Sequence, residues 1–193
     1  MSRIEIRPPN GIDKRIARTR SLLAQALLDL GAEHGVDAID VGDLIESAGI
    51  GRSTFYAHYT NKQDFLCAAF VNMLEGMERL AASRDPDRLD LLPSRYVFAH
   101  VEEARDFAVK VARSEERPRM LAAGEAKLRT IAETNLARLK PDWDADRRRE
   151  AAIFVAAGFI GMLHWWMLGG VKLSAQRMQS AFERLTRSIV NEA

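Results

Sequence analysis

The sequence predicts an all-α protein with an N-terminal helix-turn-helix head and a C-terminal helical body. Apolar residues recur at intervals of three and four along most of the chain, which is the spacing of one helix face. Gly and Pro residues separate these periodic segments, and almost nothing alternates as a strand does. Within residues 48–62, a glycine-containing turn precedes a short segment of small polar, basic and aromatic residues, the pattern of a DNA-reading helix-turn-helix.

The composition fits a soluble globular protein. Of the 193 residues, 47% are hydrophobic and 28% are charged, a balance that argues against disorder. The single cysteine, Cys67, excludes an intramolecular disulfide and fits a reducing compartment, so we expect a cytoplasmic protein. Charge is unevenly placed, since residues 1–20 are rich in arginine whereas residues 29–46 carry acidic side chains and no Lys or Arg.

The first four helices follow from periodicity and capping residues. Helical spacing of apolar residues predicts a first helix over residues 13–33, which Gly35 ends. Asp40 is a suitable N-cap for a second helix, and Gly49 ends that helix. A short third helix is expected over residues 52–59. Asn61, followed three residues later by Asp64, predicts the start of a fourth helix over residues 62–82.

A polar, Pro-containing segment at residues 83–88 separates these helices from the rest of the chain. We therefore expect a head over residues 1–60, a connecting helix over 61–82, and a body over 83–193. Trp143 is expected to anchor its connector to the core, and Ser174 to cap the last helix. The predicted helices of the body cover residues 91–113, 117–139, 146–168 and 174–191.

The third helix carries the candidate DNA contacts. Gly49 supplies the positive φ of the turn, and Ile50 and Phe55 are expected to pack inward, which directs the other side chains outward. Small residues let the helix approach base edges closely, and arginine matches the acceptors of guanine. The candidate base contacts are Arg52, Ser53, Thr54 and Ala57, and the candidate phosphate contacts are Tyr56, His58 and Lys62.

These residues resemble the tetracycline-repressor (TetR/AcrR) family of transcriptional regulators. The resemblance covers residues 13–66 and rests on Thr19, Arg20, Leu44, Ile45, Ala48, Gly49, Ile50, Thr54, Phe55, Tyr56, His58, Tyr59 and Lys62. Residues 161–170 with Ser174 are similar to the penultimate helix of many members. The resemblance implies a homodimer whose heads bind a double-stranded DNA operator and whose bodies bind a small-molecule effector and dimerise through the last two helices.

Three positions depart from the family pattern. Asp40 stands where members usually have Ser or Thr, Gly42 where many have a basic residue, and Gly51 where Ser is usual. Each change removes a phosphate contact or opposes it. We therefore expect the basic N-terminal arm to provide phosphate anchoring, with Arg15, Arg18 and Arg20 as its candidates.

The body offers two further sets of candidate residues. Apolar and small residues at helical spacing predict a dimer interface made by the last two helices, with Phe154, Ala157, Gly161, Trp165, Leu168, Met178, Phe182, Leu185 and Ile189 in contact. The candidate effector pocket is apolar and contains Phe98, Val101, Phe107, Met120, Leu121, Leu128 and Met162, with His100, Glu102, Arg105 and Glu125 as possible polar anchors. No single ligand class follows from this set.

Enzymatic readings find little support. The four histidines are not spaced as metal ligands, either with one another or with Cys67, and the sequence has no Gly-rich phosphate loop. We therefore expect no metal, cofactor or catalytic activity.

We expect a transcriptional regulator, a repressor rather than an activator. One alternative is a helical ligand-binding or protein-interaction dimer that has lost DNA binding. In another, residues 151–171, which have no Lys, Arg, Asp or Glu, insert in a membrane.

Overall fold

The computed structural model describes residues 11–170 and 172–191, and these form nine α-helices and one short 3-10 turn. The predicted all-α class is confirmed. The 3-10 turn, Val36–Ala38, lies between the first two helices. The helices are α1 Gly11–His34, α2 Val41–Ala48, α3 Arg52–Tyr56, α4 Lys62–Arg84, α5 Ser94–Glu103, α6 Arg105–Arg113, α7 Arg117–Leu139, α8 Ala145–Leu168 and α9 Ala175–Asn191.

Three aromatic rings hold the head together. Phe55 of α3 is fully buried, and its ring centroid lies 5.5 Å from that of Tyr59 and 6.0 Å from that of Phe65. The centroids of Tyr59 and Phe65 are 5.2 Å apart. Because Phe65 belongs to the first turn of α4, this aromatic triangle fastens α3 to α4.

The predicted caps of the head are present. The carboxylate of Asp40 accepts a hydrogen bond from the backbone N–H of Asp43 (2.9 Å), and the carboxylate of Asp43 accepts one from that of Asp40 (2.8 Å). Gly49 ends α2 with φ 61°, a left-handed conformation that favours glycine. The side chain of Asn61 accepts a hydrogen bond from the N–H of Asp64 at the start of α4 (2.9 Å).

Two helix boundaries differ from the sequence prediction. The helix expected over residues 91–113 is two helices, α5 and α6, because the backbone of Ala104 leaves the helical region (φ −103°, ψ 35°). The N–H of Ala104 still bonds to the carbonyl of His100 (3.0 Å) and its carbonyl to the N–H of Ala108 (2.9 Å), so the apolar periodicity continues across the break. The third helix ends at Tyr56, and hydrogen-bonded turns continue the chain to Tyr59.

The body is built around an aromatic core at the contacts of α5, α8 and α9. The ring of Phe159 lies 5.0 Å from that of Phe98 and 5.1 Å from that of Phe182. Trp166 is fully buried beside Phe98, with 5.7 Å between the ring centroids. Trp143 is 7% exposed and packs into the same core, as expected for an anchored connector.

A glycine sets the distance between α4 and α7. A Cβ atom added to Gly124 of α7 would fall 2.7 Å from Cδ1 of Phe70 in α4 and closer still to Cε1. A side chain at this position therefore overlaps the ring, and α7 approaches α4 as closely as it does because residue 124 is glycine.

We expect Gly124→Ala to lower the free energy of unfolding by about 1–3 kcal/mol, because the added methyl group displaces a packed ring. The matched control is Gly76→Ala in α4, where an added Cβ meets nothing within 4 Å. That change should stabilise the protein by about 0.5–1 kcal/mol, the gain of Ala over Gly inside a helix. Denaturant unfolding at one protein concentration measures both, and a Gly124→Ala variant as stable as the parent would contradict the packing argument.

Candidate functional site

The outer face of α3 brings together the residues predicted to read DNA. Within α3, Phe55 is the one fully buried residue. Arg52, Ser53 and Ala57 are exposed, and the ring of Tyr56 is 51% exposed. Thr54 and His58 are half-buried at the edges of this face. The contact of these six residues with DNA remains a prediction.

The backbone around this face carries the expected departures from the usual pattern. Gly51 is the N-cap of α3, and no side chain caps that helix end. At the start of α2, the carboxylates of Asp40 and Asp43 each accept a hydrogen bond from the backbone N–H of the other residue. We expect these carboxylates to repel a DNA phosphate at this helix end, where an uncharged Ser or Thr would bind it.

Lys62 has a structural role that sequence reasoning missed. Its ammonium group donates hydrogen bonds to the carbonyls of Ile39 (2.9 Å), Val36 (3.3 Å) and Asp37 (3.3 Å). An ammonium group has three donors, so the whole donor set binds the segment between α1 and α2. Backbone acceptors leave no trace in a sequence pattern, which is why only the phosphate contact was predicted for this residue.

The arginines of α1 lie on its exposed side. Arg15, Arg18 and Arg20 are all exposed, as a phosphate-binding surface requires. Burial raises the pKa of the Tyr59 hydroxyl above its ordinary value, and the guanidinium of Arg20 beside this hydroxyl acts in the opposite direction. Arg3 and Arg7, the two other arginines within residues 1–20, lie outside the described residues.

A cavity of about 240 Å³ lies between the head and the body. Its wall comes from α1 and from α4 to α8, and it is mostly apolar. Four residues predicted for an effector pocket line it: Val101, Phe107, Met120 and Leu121. Sequence reasoning missed Arg117, His164 and three residues of α1, Ala24, Leu27 and Leu28, because they come from segments far apart in the chain.

Three predicted pocket residues lie elsewhere. Phe98 and Leu128 are fully buried in the core of the body, and Met162 packs against that core, so none of them lines the cavity. Helical periodicity identifies a buried side chain but does not distinguish a packed core from a cavity wall.

Of the predicted polar anchors, only His100 reaches the cavity. The carboxylate of Glu102 instead accepts a hydrogen bond from the N–H of Ala175 at the start of α9 (2.9 Å). Arg105 donates to the carbonyl of Trp166 (3.1 Å). Glu125 of α7 also lies outside the cavity wall.

The head and the body are joined by polar contacts next to the cavity. Lys110 of α6 donates hydrogen bonds to the carbonyls of Ala32 and Glu33 at the end of α1, the latter at 2.9 Å. The N–H of Glu115 donates to both carboxylate oxygens of Asp37 at 3.2 and 3.3 Å. These bonds connect the walls of the cavity to the segment that precedes α2.

The outer face of α8 is apolar and uncovered in the protomer. Phe154 is 64% exposed and Trp165 is 48% exposed, with the small residues Ala157 and Gly161 exposed between them. Among the described residues, α8 is the one helix long and apolar enough to cross a membrane, but a core helix of a soluble protein passes the same test.

The predicted dimer contact is wrong for two residues of α9. Met178 and Phe182 are 1% and 4% exposed, buried within their own protomer against α5 and α8. Leu185 is on the outer side of α9 at 60% exposure, and Leu168 and Ile189 are half-buried. Met178 and Phe182 thus face the core of the body, whereas the contact of Leu185, Leu168 and Ile189 with a second protomer remains a prediction.

Comparison with known proteins agrees with this architecture. Residues 23–69 match the family model described as bacterial regulatory proteins, tetR family. Over 90 residues the chain is 32% identical to the uncharacterized HTH-type transcriptional regulator YxbF of Bacillus subtilis (strain 168). This match covers 46% of the chain and 24% of YxbF, so the chain spans about a quarter of the length of that relative.

Solved structures with low sequence identity share the fold. A putative TetR-family transcriptional regulator from Syntrophomonas wolfei superposes with a TM-score of 0.67 at 15% identity, covering 91% of this chain and 96% of that one. The SmeT–triclosan complex gives a TM-score of 0.59 at 23% identity over 89% and 90%. FadR from Bacillus subtilis in complex with stearoyl-CoA gives 0.54 at 16% identity over 90% and 98%.

We expect Lys62→Met to destabilise the head by about 1–3 kcal/mol in the absence of DNA, because three carbonyls lose a charged donor. Thermal unfolding of the free protein measures the effect. Arg52→Ala, which removes an exposed side chain, should leave the same transition unchanged. A Lys62→Met variant as stable as the parent, with only a weaker salt dependence of DNA binding, would show that phosphate contact is the main role of this lysine.

Proposed function

We propose that this chain is a cytoplasmic, homodimeric transcriptional repressor and that a small-molecule effector releases it from its DNA operator. The premise is that the chain belongs to the tetR family of bacterial regulatory proteins. The observation that carries the proposal is the outward face of α3. Buried Phe55 holds five residues of helix so that a basic side chain and several small ones face solvent together.

The chemistry of this face fits the major groove of DNA. Arg52 at the start of α3 matches the two acceptors on the guanine edge, and the methyl groups of Thr54 and Ala57 suit the thymine methyl. Tyr56 and His58 flank this set and suit phosphates. The exposed Arg15 and Arg18 of α1 add charge for the DNA backbone.

The exposed face of α8 supports dimerisation. An apolar patch with Phe154 and Trp165 at its ends is costly in water unless a partner covers it. An added Cβ at Gly158 or Gly161 meets nothing within 4 Å, so the space for a second helix backbone is open there. Two copies of α8 and α9 make a four-helix bundle, which sets two heads on half-sites about 34 Å apart or a multiple of this.

The cavity supports control by a small molecule. Its wall includes both α4, the connection to the head, and α1 of the head itself. A ligand that fits only one arrangement of these helices shifts the population toward that arrangement and changes the spacing of the two heads. Among proteins of similar fold, SmeT was crystallised with triclosan and the Bacillus subtilis FadR with stearoyl-CoA.

A second function has a specific observation in its favour. Asp40, Gly42 and Gly51 have no side chain that could donate a hydrogen bond to a phosphate. The ammonium group of Lys62 already donates to backbone carbonyls. These features favour a helical ligand-binding or protein-interaction dimer that no longer binds DNA. A gel shift with the DNA around its own coding region separates the two: a discrete shift that excess unrelated DNA does not abolish supports the regulator, and its absence supports the alternative.

We expect Arg52→Ala to cost about 1–3 kcal/mol of binding to the preferred operator and to relax the base preference at one position of each half-site. Fluorescence anisotropy with the operator and single-base variants measures both at one salt concentration. Arg129→Ala is the matched control, because this arginine is exposed on α7 of the body. Equal losses in the two variants would show that the effect is general electrostatics and would contradict base reading by α3.

We expect Gly161→Glu to convert the dimer to monomers. A close contact between two copies of α8 would bury the new carboxylate without a partner, and removing this charge from water is costly. The monomer fold has space for this side chain. Ala126→Glu, on the exposed side of α7, should leave the dimer intact. Sedimentation without detergent gives the oligomeric state, and a parent protein that requires detergent would favour the membrane alternative.

A further inference from the structure

The cavity contains an arginine that has no acidic partner. Arg117 begins α7, is half-buried, and donates one hydrogen bond to the carbonyl of Ala112 (3.1 Å). Among the described residues, no carboxylate forms an ion pair with it, and no acidic side chain lines the cavity. A guanidinium has five donors, and the bond to Ala112 is the one hydrogen bond that Arg117 makes through its side chain among the described residues.

Two histidines are the other ionisable groups of the wall. His100 of α5 and His164 of α8 line the cavity, and neither side chain has a hydrogen-bond partner among the described residues. Burial lowers the pKa of His100 below its ordinary value, although nearby Glu103 acts in the opposite direction. Burial thus opposes a positive charge on His100, and Arg117 is the one arginine or lysine among the residues that line the cavity.

The size of the cavity limits the ligand. An apolar cavity of about 150 Å³ in another protein binds benzene, so a cavity of about 240 Å³ accommodates roughly ten non-hydrogen atoms. Apart from the three groups just named, the wall is apolar, with Leu27, Phe107 and Leu163 among its members. Most of the ligand must therefore be hydrocarbon.

We infer that the cavity binds a small organic acid, with its carboxylate on Arg117 and an aliphatic or aromatic body of roughly ten atoms between α1 and α8. A carboxylate accepts two parallel hydrogen bonds from a guanidinium, and in a mostly apolar wall this pairing is strong. A cationic ligand meets only repulsion from Arg117. This inference rests on the proposed effector role of the cavity.

Three probes of one size separate the ligand classes. Octanoate, nonan-1-ol and nonan-1-amine each have about ten non-hydrogen atoms, and they are anionic, neutral and cationic at neutral pH. Isothermal titration calorimetry on the whole protein without DNA measures their binding. We expect octanoate to bind at least about tenfold more tightly than nonan-1-ol, and nonan-1-amine to bind most weakly. Binding of the alcohol or the amine as tight as that of octanoate, or no binding of any probe, overturns the inference.

Variants assign the preference to Arg117. Arg117→Met should remove the advantage of octanoate over nonan-1-ol, whereas Arg117→Lys should keep part of it. The matched control is Arg113→Met, an exposed arginine at the end of α6. Comparison of two probes within one variant cancels any general loss of stability. An unchanged advantage in Arg117→Met overturns the inference.

A cavity-filling variant tests the location. Ala108 of α6 lines the cavity, so Ala108→Phe should weaken the binding of octanoate and nonan-1-ol alike. Unchanged binding of octanoate in this variant places the acid elsewhere and overturns the inference.

The same probes separate the ligand class from the proposed regulation. Calorimetry needs no DNA, so the preference for octanoate stands or falls independently of operator binding. Binding that depends on Arg117, without any change in a gel shift, supports the ligand class and contradicts the effector role.

Discussion

The proposed DNA-reading surface depends on the burial of one side chain, that of Phe55. A helix of five residues is far too short to be stable alone, so tertiary contact must determine its position. Phe55 supplies that contact through Tyr59 and Phe65, which come from the turn after α3 and from the first turn of α4. The orientation of Arg52 and its neighbours is therefore a consequence of aromatic packing against α4.

The segment between α1 and α2 is held from two sides by lysines. Lys110 of α6 binds carbonyls at the end of α1, and Lys62 of α4 binds carbonyls in the residues that follow. Both α4 and α6 also line the cavity. The position of α2 relative to α1 thus depends on two helices of the cavity wall, which gives the head two connections to the cavity instead of the single connecting helix that the sequence suggests.

Much of this architecture was accessible from the sequence because local signals determine it. The capping box at Asp40, the left-handed turn at Gly49 and the inward face of α3 all depend on residues close together in the chain. The errors have a common cause in tertiary structure. The periodicity of α9 showed that Phe182 is buried but not against which partner. The backbone bonds of Lys62 and the convergence of six helices on one cavity require contacts across the whole chain.

Leu27 belongs to two structures at once. It is part of the core of the head, at 6% exposure, and it also lines the cavity. A substitution there that altered ligand choice would also loosen the packing under α2 and α3, whereas Ile160 and Met167 of α8 line the cavity and pack only within the body. We therefore expect variation in the choice of the proposed ligand to arise on the α8 side of the cavity, because the α1 side is constrained by the need to keep the head folded.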